Sequence, residues 1–169
     1  MFNLAFFIIF PFESRPKMPY MRNLFDKEPY FEIVERLMKL TPESNPLWGK
    51  MNVAQMFAHC TEAFNIPLSN KKPNRSLMGL LFGGMAKKMI LSSKPYKHNL
   101  PTDKNFIIKD QRDFNVEKQN LMTVMAKFYS GGPNHLGNMF HPFFGKLTAQ
   151  EWGIAMHKHL DHHFSQFGV

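Results

Sequence analysis

From residue 21 onward the apolar positions recur at helical spacing, and the alternation typical of strands is nearly absent. Tyr30, Ile33, Val34, Leu37 and Met38 mark one face of a helix over residues 27–40, which the cluster from Thr41 to Pro46 breaks. Val53, Met56, Phe57, Cys60 and Phe64 predict a second helix, opened by Asn52 with Gln55 in a variant of the capping box and closed by Pro67. A third is expected over residues 76–91. Its Gly79, Gly83 and Gly84 lower helix propensity but would let another backbone come close. Leu121, Val124, Met125 and Phe128 predict a fourth over residues 115–129, ended by Gly131, Gly132 and Pro133. The last has the clearest start, the capping box Thr148-Ala149-Gln150-Glu151, and runs to Gln166 before Gly168 stops it. Two segments fall outside this pattern. Residues 92–113 read as a long loop, with a brief strand possibility at 106–108, and a loop of that length in a small domain points to a site-covering role. The stretch around His141-Pro142-Phe143-Phe144-Gly145 reads as a second loop. The fold class is all-α.

Composition narrows the function. The chain has 169 residues, 44% apolar and 20% charged, which suits one soluble domain, placed at residues 21–169. Its single cysteine, Cys60, rules out a disulfide framework and a cysteine-rich zinc site, and fits a reducing, cytoplasmic setting. Any metal must therefore rely on histidines and carboxylates. The net charge is +8, but Lys71-Lys72 with Arg75, Lys87-Lys88, and Lys94 with Lys97 form no continuous block. With no zinc-finger spacing and no RNA-binding signature, they read as a solvated basic surface, and no nucleic-acid partner is expected. Residues 1–20 stand apart: an apolar run at 4–10, then Pro11, Pro16 and Pro19. The run is too short to span a bilayer and lacks the flanks of a signal peptide. It is read as an N-terminal extension, disordered or upstream of a start at Met18 or Met21, with a weak membrane-associated leader as the alternative; no membrane partner is expected.

Five of the eight histidines lie in or just before the last helix. At about 100° per residue from Trp152, His159 falls at about −20° and His163 at about +20°, near the centre of the apolar stripe. His162 lies at about −80° on its edge, and His157 at about +140°, towards solvent. Two imidazoles on an inward face, four residues apart, can place ring nitrogens on one ion. A third ligand should come from a facing helix, and His59 on the second helix is the best candidate. Three histidines would leave positions open for water or substrate.

Residues 52–59 and the ending His159-Leu160-Asp161-His162-His163-Phe164-Ser165-Gln166 resemble the DinB/YfiT-like superfamily of metalloenzymes. An uncharacterised branch of it shows stretches similar to Leu40-Thr41-Pro42, Trp48-Gly49, Asn99-Leu100-Pro101-Thr102 and His141-Pro142-Phe143-Phe144-Gly145. The resemblance implies a four-helix bundle, often dimeric; the five helices expected here exceed that by one, and residues 76–91 are taken either as an inserted extra helix or as a bundle member that leaves the first helix peripheral. It implies metal ligands at His59, His159 and His163, a nickel or zinc ion, and in some members a low-molecular-weight thiol as cofactor.

The resulting expectation is a divalent-metal-dependent enzyme acting on a small molecule, either a thiol-dependent transferase or a hydrolase. The ion would activate a thiol or water. Glu62, His162 and His141 are candidates for supporting the ligands or binding substrate, with a solvated helix face the blander account of Glu62 and a helix cap or backbone bond that of His141. Asn99 and Thr102 in the long loop are candidates for closing over the site, or simply form turns. Trp152 is expected in the core, and Cys60 is expected to be a buried, inert thiol. The alternatives are a non-catalytic metal-binding or ligand-binding bundle, and a basic interaction module whose histidines only pack.

Overall fold

The computed structural model describes residues 21–100, 106–137 and 139–169. Among them lie five α-helices: α1 (Lys27–Met38), α2 (Val53–Leu68), α3 (Leu77–Ile90), α4 (Phe114–Gly131) and α5 (Ala149–Gln166). A 3-10 turn at Pro133–His135 and a two-stranded antiparallel hairpin, β1 (Phe140–His141) with β2 (Gly145–Lys146), connect α4 to α5. The chain is all-α, as expected. The proposed N-terminal extension, together with Pro101 and Thr102, lies outside the described residues.

The helix starts follow from local hydrogen bonding. Asn52 accepts from the Gln55 amide while the Gln55 side chain returns to the Asn52 amide, so the asparagine variant of the capping box is complete. Thr148 and Glu151 do the same for α5. Ser76 caps α3 and Asp113 caps α4 through single bonds.

The core is built by α1, α2, α4 and α5. Ile33 and Leu37, Phe57 and Phe64, Leu121 and Phe128, and Trp152 and Phe164 are fully or almost fully buried. Burying an aromatic ring of this kind contributes on the order of 2–3 kcal/mol. Phe25 stacks on Phe128 at 4.5 Å and Tyr30 on Tyr129 at 3.9 Å, joining the start of the chain to α4. α3 contributes little to this core. Its Gly79 and Gly83 lie on the hairpin backbone, where a Cβ at Gly79 would stand 2.7 Å from the Phe143 carbonyl oxygen and 2.8 Å from that of Pro142. The glycines thus serve the close approach anticipated from the sequence, except Gly84, which faces open space.

Three expectations need correction. Residues 106–108 form no strand, whereas the loop at His141-Pro142-Phe143-Phe144-Gly145 is a hairpin, with Gly145 at φ +78°. Strands of two residues are too short to leave a periodic signal. His157 does not face solvent; it is 5% exposed. A helical wheel with one stripe misses that α5 is covered on two sides: the Leu24 amide donates to the Gly153 carbonyl, and Arg36 of α1 pairs with Asp161 at 2.7 Å. Burial lowers the basicity of the His157 ring, with Asp161, Arg22, Glu32 and Arg36 as its charged neighbours.

Candidate metal centre

α2 and α5 pack so that His59 meets His159 and His163. One coordinating atom from each ring lies within 4.8 Å of the others. The ring centres form a nearly equilateral triangle: 5.0 Å from His59 to His159, 4.8 Å from His59 to His163 and 4.7 Å from His159 to His163, with interplanar angles of 67°, 73° and 84°. Rings stacked for packing alone have no reason to converge on one point. An ion about 2.0–2.1 Å from each nitrogen lies about 3.2 Å from each ring centre, and ligand angles of about 90–110° then separate the centres by about 4.5–5.2 Å. The triangle fits that range on every side.

The outward nitrogens set the tautomers. His59 Nδ1 lies 2.9 Å from the Phe106 carbonyl oxygen, which can only accept, so Nδ1 carries the proton and Nε2 presents a lone pair. Gln166 Nε2 donates to the Trp48 carbonyl at 2.6 Å, which turns Gln166 Oε1 towards His163 Nδ1 at 3.0 Å. His163 therefore also presents an Nε2 lone pair. Nε2 of His59 and Nε2 of His159 are 3.0 Å apart. Two facing lone pairs at that distance repel, so either the Nε2–H of neutral His159, donating to His59, or a shared cation stands between them. His159 Nδ1 is buried and has no hydrogen-bond partner among the described residues.

Neither alternative requires a charged ring. Burial lowers the His59 ring despite its bond to Phe106. Burial, then the charges of His163 and His59, hold His159 well below its ordinary value. Burial and His59 bring His163 to about 3. The cluster is thus three neutral imidazoles at neutral pH, the state a metal ligand requires. His59 and His163 are 7% and 8% exposed, and His159 keeps somewhat more surface although its Nδ1 is buried.

The long loop does reach this centre. Phe106 holds His59, and Tyr96 and His98 join the aromatic cluster beside it: His98 stacks on Trp48 at 3.8 Å, and His162 lies 5.5 Å from Tyr96, 5.9 Å from Trp48 and 5.2 Å from His163. His162 is half-buried, and burial, then His98, lowers its basicity. His141 accepts from the Phe143 and Phe144 amides through Nδ1, organising the hairpin turn. Glu62 is exposed, at the rim of a shallow pocket shared with Phe106 and Asn65. Asn99 takes a left-handed conformation with φ 55°, as a turn residue does. Trp152 and Cys60 are fully buried, and burial pushes the Cys60 thiol up, away from reactivity.

The supporting contacts were the part that residue reasoning missed. Gln166 stands one turn after His163, a spacing that could have flagged it. The Phe106 and Trp48 contributions are backbone carbonyls, to which residue type gives no clue.

A family described as a protein of unknown function (DUF1569) matches residues 25–168. The chain belongs to this family. No curated protein and no solved structure matches the chain. The family therefore covers the whole of the site, from Trp48 to Gln166, without naming a reaction.

Proposed function

We propose that this DUF1569 member is a divalent-metal-dependent enzyme acting on a small molecule, with His59, His159 and His163 as the metal ligands. The observation that carries the reading is the convergence of three neutral rings from two helices on one point. Nickel or zinc suits an all-imidazole donor set, and the resemblance to the DinB/YfiT-like superfamily supports the same choice. A divalent ion held this way would lower the pKa of a thiol or water on its open side, supplying a nucleophile for a thiol-dependent transfer or a hydrolysis.

The protein's own groups do the positioning. The Phe106 carbonyl and the Gln166 amide fix two of the three ligand tautomers before any ion arrives. Trp48, Tyr96 and His162 offer flat, partly polar surfaces beside the centre, suited to hold a small organic substrate and limit water. A reducing, cytoplasmic setting and work as a homodimer belong to the same proposal.

A second reading, a metal-binding bundle without catalysis, is favoured by one observation. Among the described residues no carboxylate hydrogen-bonds to any of the three rings, Glu62 included, so no acidic general base is in place. Calorimetric titration of metal-free protein with zinc and with nickel, alongside His159→Ala, tests the ligand set. One equivalent bound by the wild type and none by the variant is expected. Equal binding by both overturns the assignment. Assays of the loaded protein with thiol and electrophile pairs, and with ester and amide substrates, then separate enzyme from binder.

A further inference from the structure

A helix that is apolar on all sides belongs in a core, yet α3 is apolar on all sides and lies outside one. Only Gly79, Gly83 and Ile90 are buried, on the face that meets the hairpin and α5. The rest of its circumference presents Leu77, Met78, Leu80, Leu81, Phe82 and Met85, each between 47% and 74% exposed. Its position is well secured. Lys158 donates to the carbonyls of Met89, Ile90 and Ser92, and Lys87 is bound to Glu151 and to the Lys146 carbonyl. Among the described residues the outward face is therefore held in place with no neighbour covering it, and an exposed apolar patch of this kind marks a docking surface.

Charge identifies what it docks to. Residues 63–102 hold Lys71, Lys72, Arg75, Lys87, Lys88, Lys94 and Lys97 and not one Asp or Glu. Lys71 and Lys72 precede the helix, Lys94 and Lys97 follow it, Lys88 lies in its last turn, and all five are exposed. A second copy of the chain complements this poorly. Pairing the faces antiparallel sets the Lys71–Lys72 end against the Lys94–Lys97 end, pairing them parallel sets each end against itself, and neither brings a carboxylate. An anionic bilayer supplies both an apolar layer and the opposite charge.

We propose that α3 seats the protein on an anionic lipid surface, its outer apolar side chains in the acyl–headgroup boundary and the lysines at its two ends on the headgroups. Its 14 residues are too few to span a bilayer, so it lies in the plane of the interface. The basic surface read from the sequence as merely solvated gains a function once the fold places it beside an uncovered apolar face. The inference is independent of the metal reading.

The test is co-sedimentation of the full chain with phosphatidylcholine vesicles containing 30% or no phosphatidylserine, at about 0.1 M and 0.5 M salt, two conditions that differ in charge screening. Three variants accompany the wild type: Leu81→Glu with Met85→Glu, Lys94→Glu with Lys97→Glu, and Gly84→Ala as a neutral control. All the substituted positions are exposed, so all three variants should keep wild-type helicity by circular dichroism. Binding confined to anionic vesicles is expected, weakened about tenfold or more by high salt and by either charge-altering pair. Absence of binding by the wild type, equal binding to neutral vesicles, or binding that survives Leu81→Glu with Met85→Glu overturns the proposal. So does a sedimentation-velocity dimer that this pair dissociates without any vesicle binding, which would assign the face to a second copy.

Discussion

Gln166 joins His163 to Trp48: its carbonyl oxygen takes the His163 Nδ1 proton at 3.0 Å while its amide donates to the Trp48 carbonyl at 2.6 Å. One side chain thus fixes both the tautomer of a proposed ligand ring and the backbone position of Trp48. Replacing it by leucine removes both bonds. Gln166→Leu should weaken zinc binding by about 10–100-fold, the usual effect of losing an outer partner of a ligating histidine. Gln166→Glu, which can still accept from His163, should lose less. Isothermal titration of the two variants reads the difference, and equal affinities would show that tautomer control contributes nothing.

Gly49 makes that contact possible. It has φ +82°, and a Cβ there would stand 2.5 Å from Gln166 Nε2. Gly49→Ala must strain the backbone and push the glutamine aside, so it should cost about 1–3 kcal/mol of stability and reduce metal affinity together with it. Urea denaturation of the metal-free protein and a zinc titration measure the two effects separately. A stability loss with unchanged affinity would uncouple Gly49 from the centre.

The three clustered rings make the metal-free protein sensitive to acid. Each has a folded-state value below the ordinary 6.5, His163 at about 3. Above pH 6.5 both folded and unfolded states hold these rings neutral, and stability is flat with respect to them. Below it the unfolded chain binds protons that the folded chain refuses, so stability falls as pH drops, and for His163 it keeps falling towards pH 3. Melting temperatures of metal-free protein between pH 8 and pH 4.5 should decline below about pH 6.5. His159→Gln should show a shallower decline, and a parallel one would place the acid sensitivity elsewhere.

α3 offers a paired test of its packing. At Gly79 a methyl group runs into the backbone of Pro142 and Phe143, whereas at Gly84 it meets nothing within 4 Å. Gly79→Ala should destabilise by about 1–3 kcal/mol, and Gly84→Ala should stabilise by about 0.5–1 kcal/mol through helix propensity alone. Chemical denaturation of both variants gives the signs, and a stabilising Gly79→Ala would mean that the hairpin does not rest on α3.

The helices were legible in the sequence because their apolar spacing and their caps agree; Thr148 with Glu151 and Asn52 with Gln55 mark two starts to the residue. The convergence of His159 and His163 was legible for the same reason, since both fall on the stripe that faces α2. His157 was not, because a single-stripe wheel assumes one neighbour and α5 has two. The hairpin was lost to its brevity, and the uncovered face of α3 was hidden because apolar periodicity reports which residues avoid water, not whether anything is there to cover them. The carbonyls of Trp48 and Phe106 belong to every residue type alike.

The bond from His59 to Phe106 gives the centre a mechanical consequence. The segment that follows α3 is tied to α2 through the back of a proposed ligand ring, so any load on that stretch of chain is felt at the front of the same ring. Occupancy of the centre should steady the segment, and a substrate that steadies the segment should in return tighten the centre by an equal factor.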